Sequence, residues 1–443
     1  MPLPLLSAAD MREADARCVA TKGHVALVRD AGTAVALEAR RLLGSCYGRR
    51  VVVIVGPGLN GADGRVVAEW LRGRGARVDV IDVDHQPTSL RGYDLYVDAA
   101  FGLGCSRPYV APTISGPTKV LAVDLPSGVN ADTGDVLGAP ARADVTVALG
   151  AFKYAHVNGA ALDYVGERRF AGLHIVTHAR DGLVTDDDLR DFVRFSPSDH
   201  KWKHALAILA GSATMGGAAV LACEGAIAAG ASMVRLTSRL EGTRPVAPPP
   251  VEVVYDESPR IDPRVHAVVV GPGLGVDATA WLAPRLRDVT VPVVVDADGL
   301  TGELIRQRPR EVPWVLTPHE GEFARLTGTS VGRDRVGAVR QLARDTGCVV
   351  LLKGPVTIVA DPAGALRVVT SGTSALASAG TGDVLAGLIG AAIARGHDPF
   401  SAAALSAYLH GRAGARLGAY ANASRLGAAV RDVIAATLTR GPR

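Results

Sequence analysis

The segment 378–391 reads SAGTGDVLAGLIGA, in which Ala379, Gly380, Thr381 and Gly382 lead into Asp383 and an apolar helix-like run. A helix N-terminus aims backbone N–H groups at an anion, and glycines let that backbone come close. Asp383 would then stand beside a bound phosphate, where a carboxylate can take the proton of an attacking hydroxyl. The chemistry this spacing suits is phosphoryl transfer, with Asp383 as base. A plain helix cap could use the same residues. Four further phrases argue for a site: HKWKHALAILAGSATMGGAA (200–219), GPGLG (271–275), DADGL with TPHEGEF (296–300 and 317–323) and LLKGPVT (351–357). Lys353 and Gly354 follow a Val/Leu run and can offer a cation and free N–H groups to phosphates. No Walker A loop is present. Asp296 and Asp298 read as caps at a sheet end, and His319 beside Glu320 as a strand-end pair.

A second constellation lies in the first half. Residues 56–64 read GPGLNGADG after the apolar run 51–55, and the first six fit G-x-G-x-x-G. That spacing can hold a dinucleotide pyrophosphate. A redox loop usually presents bare backbone, whereas Asn60 and Asp63 are expected to add oxygen side chains inside this loop. Asp98 ends the run LYVD, and Asp124 ends VLAVD just before Ser127. Ligands of open parallel sheets bind beyond the carboxyl ends of the strands. Three strands are thus expected to deliver Asn60 and Asp63, Asp98, and Asp124 with Ser127 to one rim. Oxygen-only ligands of low charge suit a hard cation rather than zinc.

These residues need an α/β scaffold. Apolar runs at 51–55, 78–83, 95–97, 120–123 and 145–149 alternate with helix-like segments, the first spanning 7–45 with Ser7 as cap. Unbroken apolar runs suit parallel strands buried on both faces. Near 180–200 the chain turns charged and then turn-rich, which reads as a domain junction. A second series follows at 205–210, 267–270, 293–295, 314–316, 349–352, 356–360 and 366–370, punctuated by Pro245 and Pro248 to Pro250, before an almost wholly helical stretch from 381 to 438. The expected domains are 1–185 and 190–443.

At 443 residues the chain is long enough for two or three domains, and 48% hydrophobic residues can fill sizeable cores. Aromatics are only 5%, so Ala, Val and Leu must build them. A net charge of +4, with both signs interspersed, gives nucleic-acid binding little support. Five scattered cysteines without C-x-x-C spacing disfavour a disulfide framework and a zinc site. The N-terminus lacks signal-peptide character, and no apolar stretch approaches the ~20 residues of a membrane span. A cytoplasmic protein is expected, with no nucleic-acid or membrane partner.

GLNGADGRVVAEWL, VDAAFGLG and DLPSGVNADTG together resemble the NAD(P)H-hydrate epimerase family over roughly residues 1–180. The resemblance implies a Rossmann-like three-layer sandwich. It also implies a potassium ion held by Asn60, Asp98 and Ser127. Leu59, Asn60, Gly61, Ala62 and Asp63, with Gly102, Leu103 and Gly104, would contact the hydrated nucleotide, and Asp124 would face the nicotinamide ring as acid/base. The family loop has Asn and Gly where this chain has Leu59 and Ala62, and its M-E-N-A-G stands here as Val28-Arg29-Asp30-Ala31-Gly32. Leu59 removes a polar contact, and Ala62 adds a methyl where close backbone approach is expected. The phrases of the second half resemble ADP/ATP-dependent NAD(P)H-hydrate dehydratases, of ribokinase-like α/β fold, over about 190–440. That resemblance implies nucleotide contacts from Lys353, Gly354, Pro355, Val356, Thr357 and Gly382, and hydrate contacts from Ala218, Gly275, His319 and Asp383. Mg²⁺ and ADP are the implied cofactors, NADH and NADPH hydrates the substrates, and a homo-oligomer the assembly. A ribokinase-like small-molecule kinase, and a dehydratase with a scaffold or nucleotide-sensing first domain, are the alternatives.

Overall fold

Ser7 accepts the Asp10 N–H at 3.1 Å and caps the helix Ala8–Lys22. Such a cap contributes about 1 kcal/mol. The helical stretch expected over 7–45 is broken once, at Gly23, whose φ of 84° favours glycine, and resumes as His24–Leu43. The computed structural model describes residues 2–194, 200–240 and 248–439. Two units divide the chain, Leu3–Gly182 and Leu183–Arg443.

In the first unit six parallel strands run in the spatial order Glu167–Ala171, Val145–Leu149, Lys119–Val123, Leu95–Ala99, Arg50–Val55, Arg77–Asp82. Five match apolar runs in the sequence. The sixth, Glu167–Ala171, is an edge strand of charged and half-buried residues, so no apolar run marks it. The helices His24–Leu43 and Leu59–Arg72 cover one face through Val35, Ala36, Val67 and Leu71. Segments through Leu90, Tyr109 and Ala141 pack on the other. A Cβ on Gly32 would come 2.5 Å from Val66 Cβ, so the glycine at the end of Val28-Arg29-Asp30-Ala31-Gly32 lets the two helices meet. A short parallel pair, Leu3–Leu6 with Phe152–Lys153, sets Lys153 opposite Leu6.

The second unit orders its strands Leu366–Val369, Thr357–Ala360, Val349–Leu352, Trp314–Leu316, Val293–Val295, Ala267–Val270, Ala205–Ser212, Met233–Arg239, Val253–Tyr255. The first three pair antiparallel and the rest parallel. Met233–Arg239 and Val253–Tyr255 escape the search for apolar runs because polar residues interrupt the first and the second is a three-residue edge. The acidic part of the junction is a helix, Asp186–Phe192, closed by a capping box between Thr185 and Asp188. Residues 195–199 of that junction, and Pro245, lie outside the described residues. The centre of this unit is the helix Thr381–Ala394, buried from Val384 onward. Its small residues permit that. A Cβ on Gly387 would stand 2.0 Å from Ala222 O, and one on Gly390 2.3 Å from Val269 Cγ2.

Candidate active sites

The first site lies where neighbours of Arg50–Val55 lead away in opposite directions, to Leu95–Ala99 on one side and Arg77–Asp82 on the other. Such a switch point opens a crevice beyond the strand ends. A Cβ on Gly56 would meet Ala100 O at 1.8 Å, and one on Gly61 would meet Gly56 O at 1.9 Å. These glycines let the strand end and the next helix nest together.

Leu59, Asn60, Gly61, Ala62 and Asp63 are not loop residues, contrary to the sequence expectation. They form the first turn of Leu59–Arg72, because Gly58 serves as N-cap and its carbonyl already accepts the Ala62 N–H at 3.1 Å. The methyl of Ala62 therefore rides half-buried on regular helix. The glycines that cannot carry a Cβ, Gly56 and Gly61, are both present. Leu59 is half exposed and lines the cavity. Asn60 Nδ2 is buried with no hydrogen-bond partner. A Cβ on Gly102 would crowd Asn60 Oδ1 at 3.0 Å.

Asp98 is fully buried. Its Oδ1 accepts the Ser127 hydroxyl at 2.5 Å and its Oδ2 the Ser127 N–H at 2.8 Å. Ser127 Oγ also accepts the Phe101 N–H at 2.8 Å and lies 3.0 Å from Phe101 O. Burial raises the Asp98 pKa against these bonds. The cluster offers a carboxylate, a hydroxyl and a carbonyl. That oxygen chemistry fits a hard cation. Among the described residues no group of three or more His, Cys, Asp or Glu forms a metal site.

Asp124 follows its strand with φ 63°, unusual for a residue with a side chain and held by its N–H bond to Val147 O at 2.9 Å. Its carboxylate accepts the Lys153 ammonium and the Leu149 N–H at 3.1 Å. Lys153 is 1% exposed and also donates to Leu149 O at 2.8 Å. His156 lies behind: its Nδ1 accepts the Lys153 N–H at 2.9 Å, so Nε2 carries the proton donated to Asp124 O at 2.7 Å. Burial, then the Lys153 charge, lowers the His156 pKa to about 4 and keeps it neutral. Asp63 is pushed up to about 8 by burial, then by Asp124 and Asp15. Burial raises Asp15 to about 6. Asp15, Asn60, Asp63, Asp124 and Lys153, with Gly102, Leu103 and Gly104, line one cavity of about 650 Å³. A protonated Asp63 and a lysine-paired Asp124 on one wall can give and take protons in turn.

In the second unit adjacent strands bring Asp296, Thr317 and Lys353 together. Lys353 Nζ lies 2.7 Å from Asp296 Oδ1 and 3.6 Å from Glu322 Oε2. Thr317 Oγ1 donates to Asp296 Oδ1 at 2.8 Å. Burial opposes the lysine charge, but Asp296, Glu322 and Asp383 outweigh it and raise its pKa. Reading Asp296 as a cap is corrected by these contacts, since its side chain makes no cap bond and pairs with Lys353. Asp298 does cap backbone at the sheet end, its Oδ2 accepting the Gly275 N–H at 2.8 Å. The helix Thr381–Ala394 starts above the pair. A Cβ on Gly382 would sit 3.3 Å from Lys353 Nζ and 3.7 Å from Asp296 Oδ2. Asp383 is pushed up to about 7, by burial first and then by Asp296, while Lys353 lowers it and Asp298 and Glu322 raise it. A carboxylate poised near neutrality suits a general base.

His319 is the N-cap of Glu320–Thr327. Its Nδ1 accepts the Gly321 and Glu322 N–H groups at 3.0 and 3.2 Å, and Glu322 accepts the His319 N–H at 2.8 Å. Its partner is therefore Glu322 rather than the adjacent Glu320, because helix geometry closes a capping box three residues on. The imidazole remains exposed, with Nε2 3.4 Å from Glu322 Oε1. A Cβ on Gly273 would touch Ala218 Cβ at 2.7 Å, which brings GPGLG and Ala218 together. Within 353–357, Gly354 and Pro355 are exposed, Thr357 opens the next strand, and Val356 packs in the core. Lys153, His156, Asp15, Glu322 and Arg335 went unnoticed in the sequence. For Lys153 a signal existed: a lone cation in FKY, two residues past an apolar strand and the Gly-Ala that follows it.

Residues 206–435 match the NAD(P)H-hydrate dehydratase family, and residues 24–90 and 81–155 match the family described as YjeF-related protein N-terminus. The chain is 38% identical over 450 residues to the bifunctional NAD(P)H-hydrate repair enzyme of Mycobacterium leprae, with 92% of this chain and 93% of the relative covered. Against the enzyme of that name from Mycobacterium tuberculosis it is 37% identical over 435 residues, covering 89% and 90%. Among solved structures, the ADP/ATP-dependent NAD(P)H-hydrate dehydratase of Bacillus subtilis, co-crystallised with ATP and Mg²⁺, superposes with a TM-score of 0.51 at 29% identity, over 57% of this chain and 97% of that one. A ribokinase-like protein of Enterococcus faecalis shares the fold at 20% identity and a TM-score of 0.51. With identity at this level running through both units, the chain belongs to the family of bifunctional NAD(P)H-hydrate repair enzymes.

Proposed function

We propose that residues 190–443 dehydrate the S epimer of hydrated NADH or NADPH with ADP as phosphoryl donor, and that residues 1–185 interconvert the R and S hydrates. The observation that carries this is Asp383, poised near pH 7 beside the Lys353–Asp296 pair at a helix N-terminus. Asp383 takes the proton of the C6 hydroxyl as the terminal phosphoryl group of ADP transfers to that oxygen, leaving AMP. Loss of phosphate from C6 and a proton from C5 then restores the dihydronicotinamide ring. The 353–357 segment and Gly382 receive the nucleotide, and Ala218, Gly275 and His319 flank the hydrate. Mg²⁺ bound with the nucleotide would offset its charge. The ATP and Mg²⁺ of the Bacillus subtilis crystals support that class of ligand.

In the first unit Asp124 draws the C6 hydroxyl proton, the C6–N1 bond opens to an aldehyde, and reclosure gives either epimer. Lys153 holds the Asp124 carboxylate in place for this step, and Asp63 supplies the proton that the ring nitrogen gains. Asn60, Asp98 and Ser127 would hold a potassium ion, which would supply fixed positive charge beside the substrate. No helix among the described residues is long and apolar enough to cross a membrane. A cytoplasmic homo-oligomer is the setting this reading expects.

Pure R hydrate supplied with ADP and Mg²⁺ tests both halves. Regenerated NADH absorbance and free phosphate, appearing faster than spontaneous epimerisation allows, are the expected result. A stable phosphorylated product would instead identify a kinase. Consumption of R at only its spontaneous rate would leave the first unit without epimerase activity.

A further inference from the structure

A buried cation stands beneath the nucleotide segment. Arg335 opens the helix Arg335–Thr346 and is 8% exposed. Its Nη1 pairs with Glu320 Oε1, and its Nη2 donates to Val356 O at 3.3 Å. A Cβ on Gly354 would fall 2.4 Å from Nη2 and 3.2 Å from Cζ, so the guanidinium rests against the Gly354 backbone. The segment between the antiparallel strands Val349–Leu352 and Thr357–Ala360 is thus held from below at two points.

We propose that Arg335 is the positioning residue of the nucleotide loop: with Glu320 it fixes the Val356 carbonyl and the Gly354 backbone before ADP binds. This rests on the reading of 353–357 as the nucleotide site. Arginine stays charged and its planar fork reaches two acceptors at once, which a lysine ammonium cannot reproduce. Held by Arg335, the Val356 carbonyl would be kept from turning toward phosphate oxygens, which it would repel. A preformed loop avoids an ordering cost on binding. Glu320 follows His319 directly, so the same ion pair ties the loop to the helix start beside the hydrate.

Because the loop is held and not reacting, its loosening weakens nucleotide binding rather than the chemical step. Arg335→Lys should raise the KM for ADP about tenfold while kcat and the KM for hydrate stay within about twofold. Glu320→Gln, at an exposed carboxylate, should move the same parameter less and carries the test if the arginine variant does not fold. Gly354→Ala should raise the KM for ADP more in the wild-type background than in Arg335→Ala, where its clash partner is gone. An unchanged KM for ADP in folded Arg335→Lys, an effect confined to kcat, or equal Gly354→Ala effects in both backgrounds would overturn the proposal. Calorimetry with ADP and Mg²⁺ alone separates the two readings. A wild-type chain that binds no ADP refutes the nucleotide assignment itself, whereas equal binding by wild type and variants refutes only the role of Arg335.

Discussion

Asp383 and Asp63 show how burial sets the chemistry of single carboxylates. Asp383 is held near 7, so as a base it must lose its proton before it can act. The kcat/KM for S hydrate should therefore fall on the acid side of about pH 7, and Asp383→Asn should lower kcat by about 10²–10⁴-fold with hydrate binding retained. A flat acid limb would remove Asp383 from the role. Folded Asp63 keeps its proton to about 8, whereas an unfolded aspartate releases it near 3.8. Between those values the folded state binds more protons, so stability falls as pH rises, by at most about 1.4 kcal/mol per unit. Asp63→Asn removes that slope. Melting curves at about pH 5 and pH 8 should show a smaller drop for the variant than for the wild type. Equal drops would mean that Asp63 is ionised in the fold. The sequence marks Asp383 as a candidate base, but neither pKa shift is legible in it, because burial is set by the fold.

The helix Thr381–Ala394 shows what the glycines of an Ala/Leu stripe are for. Read as a pattern, AGLIGAA is core packing, and that reading is sound. The structure adds that Gly387 faces a backbone carbonyl rather than a side chain, and a carbonyl cannot swing aside. Gly387→Ala should cost about 1–3 kcal/mol. Gly217→Ala, with nothing within 4 Å of the added methyl, should stay within about 0.5 kcal/mol. Urea titrations of the two variants check this, and similar midpoints would contradict the packing account. The same contrast governs the first unit. Gly56 and Gly61 face carbonyls, whereas Ala62 is half-buried in the first turn of a regular helix. The glycines that nest the strand end against the helix are thus retained, and the departure at position 62 falls on regular helix.

At the scale of the molecule, two sites of different chemistry share one chain, and variants should part them. Asp124→Asn should slow ADP-dependent consumption of R hydrate to the spontaneous rate of epimerisation and leave S hydrate turnover within about twofold of wild type. Asp383→Asn should stop NADH recovery from both epimers. Progress curves on each pure epimer decide the matter. If Asp124→Asn also stops S turnover, the assignment of epimerisation to the first unit fails.

The sequence by itself determined the α/β class, most strands of both sheets, and the identity of Asp383, Asp98 and Asp124 as strand-end or helix-start acids. These follow from local causes: apolar runs set by burial on both faces, and glycines and acids that punctuate strand ends. Only the tertiary structure decided which groups face each other. Lys153 meets Asp124 across 29 residues of chain and Lys353 meets Asp296 across 57. Arg335 reaches Val356 across 21. No periodicity encodes such pairs, because they are fixed by which strands lie side by side. The carboxylate pKa values then follow from that neighbourhood, through burial and the charges it gathers, and not from the residue type.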